Sequence, residues 1–72
     1  MRTRELVKMI STAAKALGMD FAPLPGRNRG GHTTYSLDGL RIPIPRHTEV
    51  GNMFAEKVFK ECEPKLGKDW WR

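Results

Sequence analysis

His32, in the stretch NRGGHTTYS at residues 28–36, is the side chain of this sequence best suited to chemistry. An unperturbed imidazole titrates at about pH 6.5, so it can take or give a proton at neutral pH. Between residues 22 and 48 the chain carries four arginines, Arg27, Arg29, Arg41 and Arg46, and one acid, Asp38. A guanidinium fork grips a phosphate bidentately, so these residues together offer proton transfer beside a bound anion. By type alone His32 equally fits a surface-strand histidine with no chemical role, and the arginines a solvated basic surface. His47, the second histidine, stands beside Thr48, where a solvated connector is the simpler reading.

Size and charge narrow the classes of function. Seventy-two residues make one domain near the lower limit for a core without disulfides or metal, so chemistry is expected on an open surface rather than in a deep cleft. Hydrophobic residues at 39% and charged residues at 29% suit a folded globular chain and exclude extensive disorder. The net charge of +5 points to a polyanionic partner, nucleic acid or an acidic protein. No segment reads as a signal peptide or membrane span, and the single cysteine, Cys62, has no internal disulfide partner. The cytoplasm is therefore the expected compartment, with no membrane partner. Cys62 and the two histidines lack zinc-ligand spacing, so neither a metal nor another cofactor is expected.

The elements that position His32 follow from periodicity. Residues 4–17 repeat apolar side chains at helical spacing through Leu6, Ile10, Ala13 and Leu17, with Ala14 beside them, Thr3 as N-cap and Gly18 as terminator. Residues 19–24 read as a short edge strand because of Pro23, and residues 25–31 as a loop. Asp38 and Gly39 signal a two-residue type I′ turn, which pairs Leu37 with Leu40 and, stepping outward, His32 with Pro45. Pro43 and Pro45 then fall at sites where no ladder hydrogen bond is lost, a check on the register. Thr33, Tyr35, Leu37, Leu40, Ile42 and Ile44 share the core face; His32, Thr34, Ser36 and Arg41 share the other. If the ladder persists, His47 lies diagonal to His32 at roughly 7–8 Å. A second helix over residues 49–63, capped by Thr48, sets Val50, Phe54, Val58 and Cys62 on one stripe, broadened by Met53 and Phe59. The expected fold is α+β, in the order α-β-β-β-α, a three-stranded antiparallel sheet with two helices on one face. A domain over residues 1–64 is followed by a C-terminal tail, residues 65–72, whose Trp70 and Trp71 should pack over the end of the core.

This order, with GGHTTY opening the second strand and IPRH closing the third, resembles the HicA toxin family of mRNA interferases, small proteins with a double-stranded-RNA-binding-domain-like fold. The resemblance spans roughly residues 2 to 62. It implies that His32 takes the place of the family's essential histidine and Tyr35 that of its apolar strand partner. It also implies ribosome-independent mRNA cleavage and a cognate HicB-type antitoxin covering the active surface. Where many relatives have Ser before this histidine and a second His after it, this chain has Gly31 and Thr33.

RNA carries its own nucleophile, the 2′-hydroxyl. Cleavage needs a base for its proton, a donor for the departing 5′-oxygen and positive charge at the phosphate. His32 would be the general acid or base, Arg27, Arg29, Arg41 or Arg46 would hold phosphates, and no metal is required. If His47 takes part, the two imidazoles divide acid and base duties. The alternatives are a non-catalytic RNA-binding module of the same fold, and a basic adaptor for an acidic protein.

Overall fold

A computed structural model describes the backbone of residues 1–72 and all side chains except those of residues 27–29. The element order is α1 (Thr3–Ala16), β1 (Phe21–Arg29), β2 (His32–Leu37), β3 (Leu40–Pro45), α2 (Asn52–Glu61) and a short α3 (Glu63–Leu66). The strands form one antiparallel sheet in the order β1-β2-β3. The α-β-β-β-α order and the three-stranded antiparallel sheet are those expected from the sequence.

The hairpin register follows Asp38 and Gly39. Their φ angles of 50° and 90° are both positive, as a type I′ turn demands. From that turn the pairs run outward from Leu37 with Leu40 to His32 with Pro45. Gly39 holds its φ without strain because it lacks a β-carbon, so Gly39→Ala should cost about 1 kcal/mol or more, measurable by urea titration. Unchanged stability would show that the turn relaxes to another type.

Leu37, Ile42 and Ile44 on one sheet face, Leu6, Ile10 and Ala14 of α1, and Ala55, Val58 and Phe59 of α2 are buried in one cluster. Both long helices therefore cover the same face of the sheet. Phe21 and Tyr35 stack on the margin of that core, ring centroids 4.9 Å apart.

Local expectations needed correction in five places. Arg2, rather than Thr3, is the N-cap residue of α1; the Thr3 amide donates to Thr48 O and its hydroxyl to His47 O, tying the helix start to the segment before α2. Leu17 is 56% exposed, because α1 ends at Ala16 in a Schellman closure with Gly18 at φ 71°. β1 is still an edge strand but runs on to Arg29, with an irregularity between Pro23 and Asn28. Only Gly30 and Gly31 then connect it to β2. Thr48 does not cap α2, whose N-cap is Gly51; Val50, Val58, Phe59 and Cys62 are buried as expected, joined by Ala55, but Met53 is 88% and Phe54 38% exposed. The C-terminal segment, read as having no regular element, begins within the short helix α3, whose Leu66 is buried. Its tryptophans pack on the core as expected, Trp70 Nε1 donating to Phe59 O at 2.8 Å and both rings lying on Phe59, at 5.2 and 5.7 Å.

Cys62 lies in the core, where burial, with Glu61 adding to it, pushes its thiol pKa from 9.0 up to about 12. A raised acid pKa means the unfolded chain loses its proton first. The thiol's contribution is therefore full below pH 9 and is lost as pH climbs toward about 12. Native Cys62 should resist a thiol reagent that labels it stoichiometrically in urea, and Cys62→Ala should flatten the alkaline decline in stability. Rapid labelling of the folded chain would show that the thiol is open to solvent.

Candidate active site

His32 opens β2, paired through its backbone with Arg29 of β1 and Pro45 of β3. Its side chain is exposed, as its outward parity requires. It does not stand on an open sheet face, however. The sheet ends at this residue and α2 begins nearby, so the imidazole faces the Phe54 ring, centroids 6.4 Å apart and tilted by 34°. Phe54, 38% exposed, forms one wall of a shallow depression.

His32, Pro45, His47, Glu49, Val50, Gly51 and Phe54 line that depression. The ladder persists one step beyond Pro45, through an Arg46 N–H to Gly31 O bond of 2.6 Å, and this carries His47 back toward His32. On its other side His47 is anchored at its carbonyl by the Thr3 hydroxyl. A β-carbon on Gly31 would sit 3.8 Å from His47 Nε2, so the His47 ring lies over the residue that precedes His32. Gly31 itself is not held in a left-handed conformation. Gly31→Ser should therefore fold with stability within about 0.5 kcal/mol of the original and place a hydroxyl beside His47. Failure of that variant to fold would contradict this placement of the His47 ring.

The arginines divide. Arg46 stays beside the histidines, its Nη2 donating to Gly30 O at 2.6 Å. Arg41 pairs with Ser36 at the turn end of the hairpin, four residues along the strand from Pro45, about 13 Å away at roughly 3.3 Å per residue. The structure does not bring Arg41 to the histidines. The expected roles of Arg27 and Arg29 fall on side chains outside the described residues.

Two further arginines, Arg2 and Arg4, went unnoticed in the sequence because they precede and open a helix far from His32 in the chain. With Thr3, Val7, Tyr35, Arg46, His47 and Thr48 they line a second depression, which shares His47 with the first. Among the described residues the ion pairs use only Lys65 and Arg72 as cations, so the guanidinium groups of Arg2, Arg4 and Arg46 have no carboxylate within 4.0 Å, although the Arg2 backbone N–H donates to Glu5 Oε1 at 3.3 Å. Glu49 was missed as well; it is the acid on the rim of the first depression.

Two imidazoles on one exposed surface, with the Arg46 guanidinium beside them, can exchange protons with a ligand whose negative charge that arginine holds. Among the described residues no group of three or more His, Cys, Asp or Glu side chains gathers as a metal-ligand set. No described helix is long and apolar enough to cross a membrane.

No protein-family model, curated protein or solved structure matches the chain.

Proposed function

We propose that this chain is a toxin of the HicA type, an endoribonuclease that cleaves mRNA in the cytoplasm and is inhibited by a HicB-type antitoxin covering the two histidines. The observation that carries this reading is the shared depression: His32 and His47, distant in sequence, border one shallow and exposed surface beside Arg46. An extended RNA strand reaches such a surface without a deep cleft, as a domain of this size requires. The resemblance in element order and in GGHTTY and IPRH supplies the family.

The chemistry uses the substrate's own 2′-hydroxyl. One imidazole takes the 2′-proton as the 2′-oxygen attacks phosphorus; the bond from phosphorus to the 5′-oxygen breaks, and the other imidazole, protonated, gives its proton to that leaving oxygen. Arg46, beside the histidines, offsets charge on the phosphate, and the reaction needs no metal. Incubation of RNA with the protein in EDTA should give fragments with 2′,3′-cyclic phosphate and 5′-hydroxyl ends, whereas the same sequence with 2′-O-methyl groups should stay whole. RNA bound but uncut would favour a non-catalytic RNA-binding module, and no RNA binding would favour a basic adaptor for an acidic protein.

A further inference from the structure

The depression formed by Arg2, Arg4, Arg46 and His47 is not accounted for by proton transfer at His32. Three arginines line it, all exposed, and none of their guanidinium groups has a carboxylate within 4.0 Å among the described residues. Glu5 Oε1 accepts from the Arg2 backbone N–H at 3.3 Å and Glu49 pairs with Arg2 across a backbone bridge, but neither carboxylate lies within 4.0 Å of those guanidinium groups. The like charges therefore repel one another, and a bound anion offsets that cost. Arg46 is already oriented by its bond to Gly30 O, which uses one of its five donors and leaves the rest of the fork for a ligand. The wall that carries Arg2 and Arg4 is fixed to the wall that carries His47. The Thr3 N–H bonds Thr48 O at 2.9 Å, the Val50 N–H bonds Met1 O at 2.8 Å, and the Thr3 hydroxyl holds His47 O. The site is therefore preformed by backbone pairing rather than assembled from mobile side chains.

We infer that this depression is a phosphate subsite, binding the RNA backbone phosphate adjacent to the one that His32 and His47 act upon. The inference rests on the RNA-cleaving reading above and adds where the strand runs: from Phe54 and His32, across His47, to Arg2 and Arg4 at the start of α1. His47 borders both depressions, so a strand seated at the histidines has its neighbouring phosphate directed toward these arginines. The contact is to the backbone and carries no base information, so it should strengthen binding of all sequences alike. It should act on ground state and transition state equally, raising affinity without changing the chemical step.

The test compares two charge-matched double variants of the full chain, Arg2→Ala with Arg4→Ala, and Lys57→Ala with Lys60→Ala on the exposed side of α2. Binding of a fluorescent single-stranded RNA is followed by anisotropy across a salt series, and cleavage by initial rates; circular dichroism verifies folding. The arginine pair should weaken binding about tenfold and raise KM with kcat unchanged, and should lower the slope of log K against log salt by about 0.7, one phosphate on a single strand. The lysine pair should stay within about twofold of the original. Equal weakening by both pairs would overturn the subsite, since net charge alone would then account for it. If the original protein binds and cuts RNA and the arginine pair does so with unchanged KM, the subsite fails while the nuclease reading stands. If the original protein binds no RNA, both fail together.

Discussion

On the proposed nuclease reading, His32→Ala should lower the rate of RNA cleavage by about 10²–10⁴-fold while leaving RNA binding within about twofold of the original. The size follows from what a positioned acid or base contributes, and the separation from binding follows from geometry. His32 is exposed, and its imidazole has no hydrogen-bond partner among the described residues. Its place in the sheet is secured by backbone pairs with Arg29 and Pro45, which alanine retains. The variant should therefore fold and hold RNA through the same arginines. His47→Ala should also be slower, and if the imidazoles divide the two proton transfers, the original's bell-shaped pH–rate profile should lose one limb in that variant. Equal cleavage by original and His32→Ala proteins, measured on the same oligonucleotide in EDTA, would remove His32 from the mechanism. Loss of binding together with loss of cleavage would make it a contact rather than a catalyst.

Ile42→Ala should unfold a large fraction of the protein. Ile42 is fully buried, paired with Tyr35 across the β2–β3 ladder and enclosed in the cluster that joins both helices to the sheet. Truncating such a side chain costs about 2–5 kcal/mol, from lost transfer energy and from the cavity left behind. A single core in a chain this short rarely supplies more than about 3–5 kcal/mol in all, so the loss is comparable to the whole stability. The thermal midpoint should fall by at least about 8 °C, and cleavage should fall with the folded fraction. Met53→Ala, at an apolar residue 88% exposed on α2, should change stability by less than about 0.5 kcal/mol. A midpoint unchanged by Ile42→Ala would mean that this strand position does not face the core.

The two outcomes differ because alternate residues of one hairpin have different jobs. Leu37, Ile42 and Ile44 hold the helices, while His32, one register parity away, is left to solvent. This division was legible in the sequence. Asp38 and Gly39 specify a turn that places both φ angles in the positive region, a local property of two residues, and strand alternation then propagates outward without further information. The first helix was legible for a similar reason, through Leu6, Ile10, Ala13 and Leu17 at helical spacing and Gly18 ending it, although Ala14 is buried and Leu17 is not. The length of β1 was not legible, because Pro23 suggested a short strand whereas an edge strand tolerates it beside an irregularity. Phe54 was misassigned to the core because periodicity gives a helix face without saying how far around that face the sheet extends.

By itself the sequence determined the order of elements, the hairpin register and the outward placement of His32, all of which rest on local backbone preference and short periods. Only the tertiary structure decided what surrounds that histidine. It brought His47 over Gly31 by extending the ladder to Arg46, moved Phe54 from core to site wall, and set Arg2 and Arg4 beside His47. Those juxtapositions depend on pairing between the first residues of the chain and the segment before α2, through Met1, Thr3, Thr48 and Val50. Backbone amides and carbonyls make those bonds. Every residue but proline carries both groups, so no side-chain pattern announces the pairing until the chain has folded.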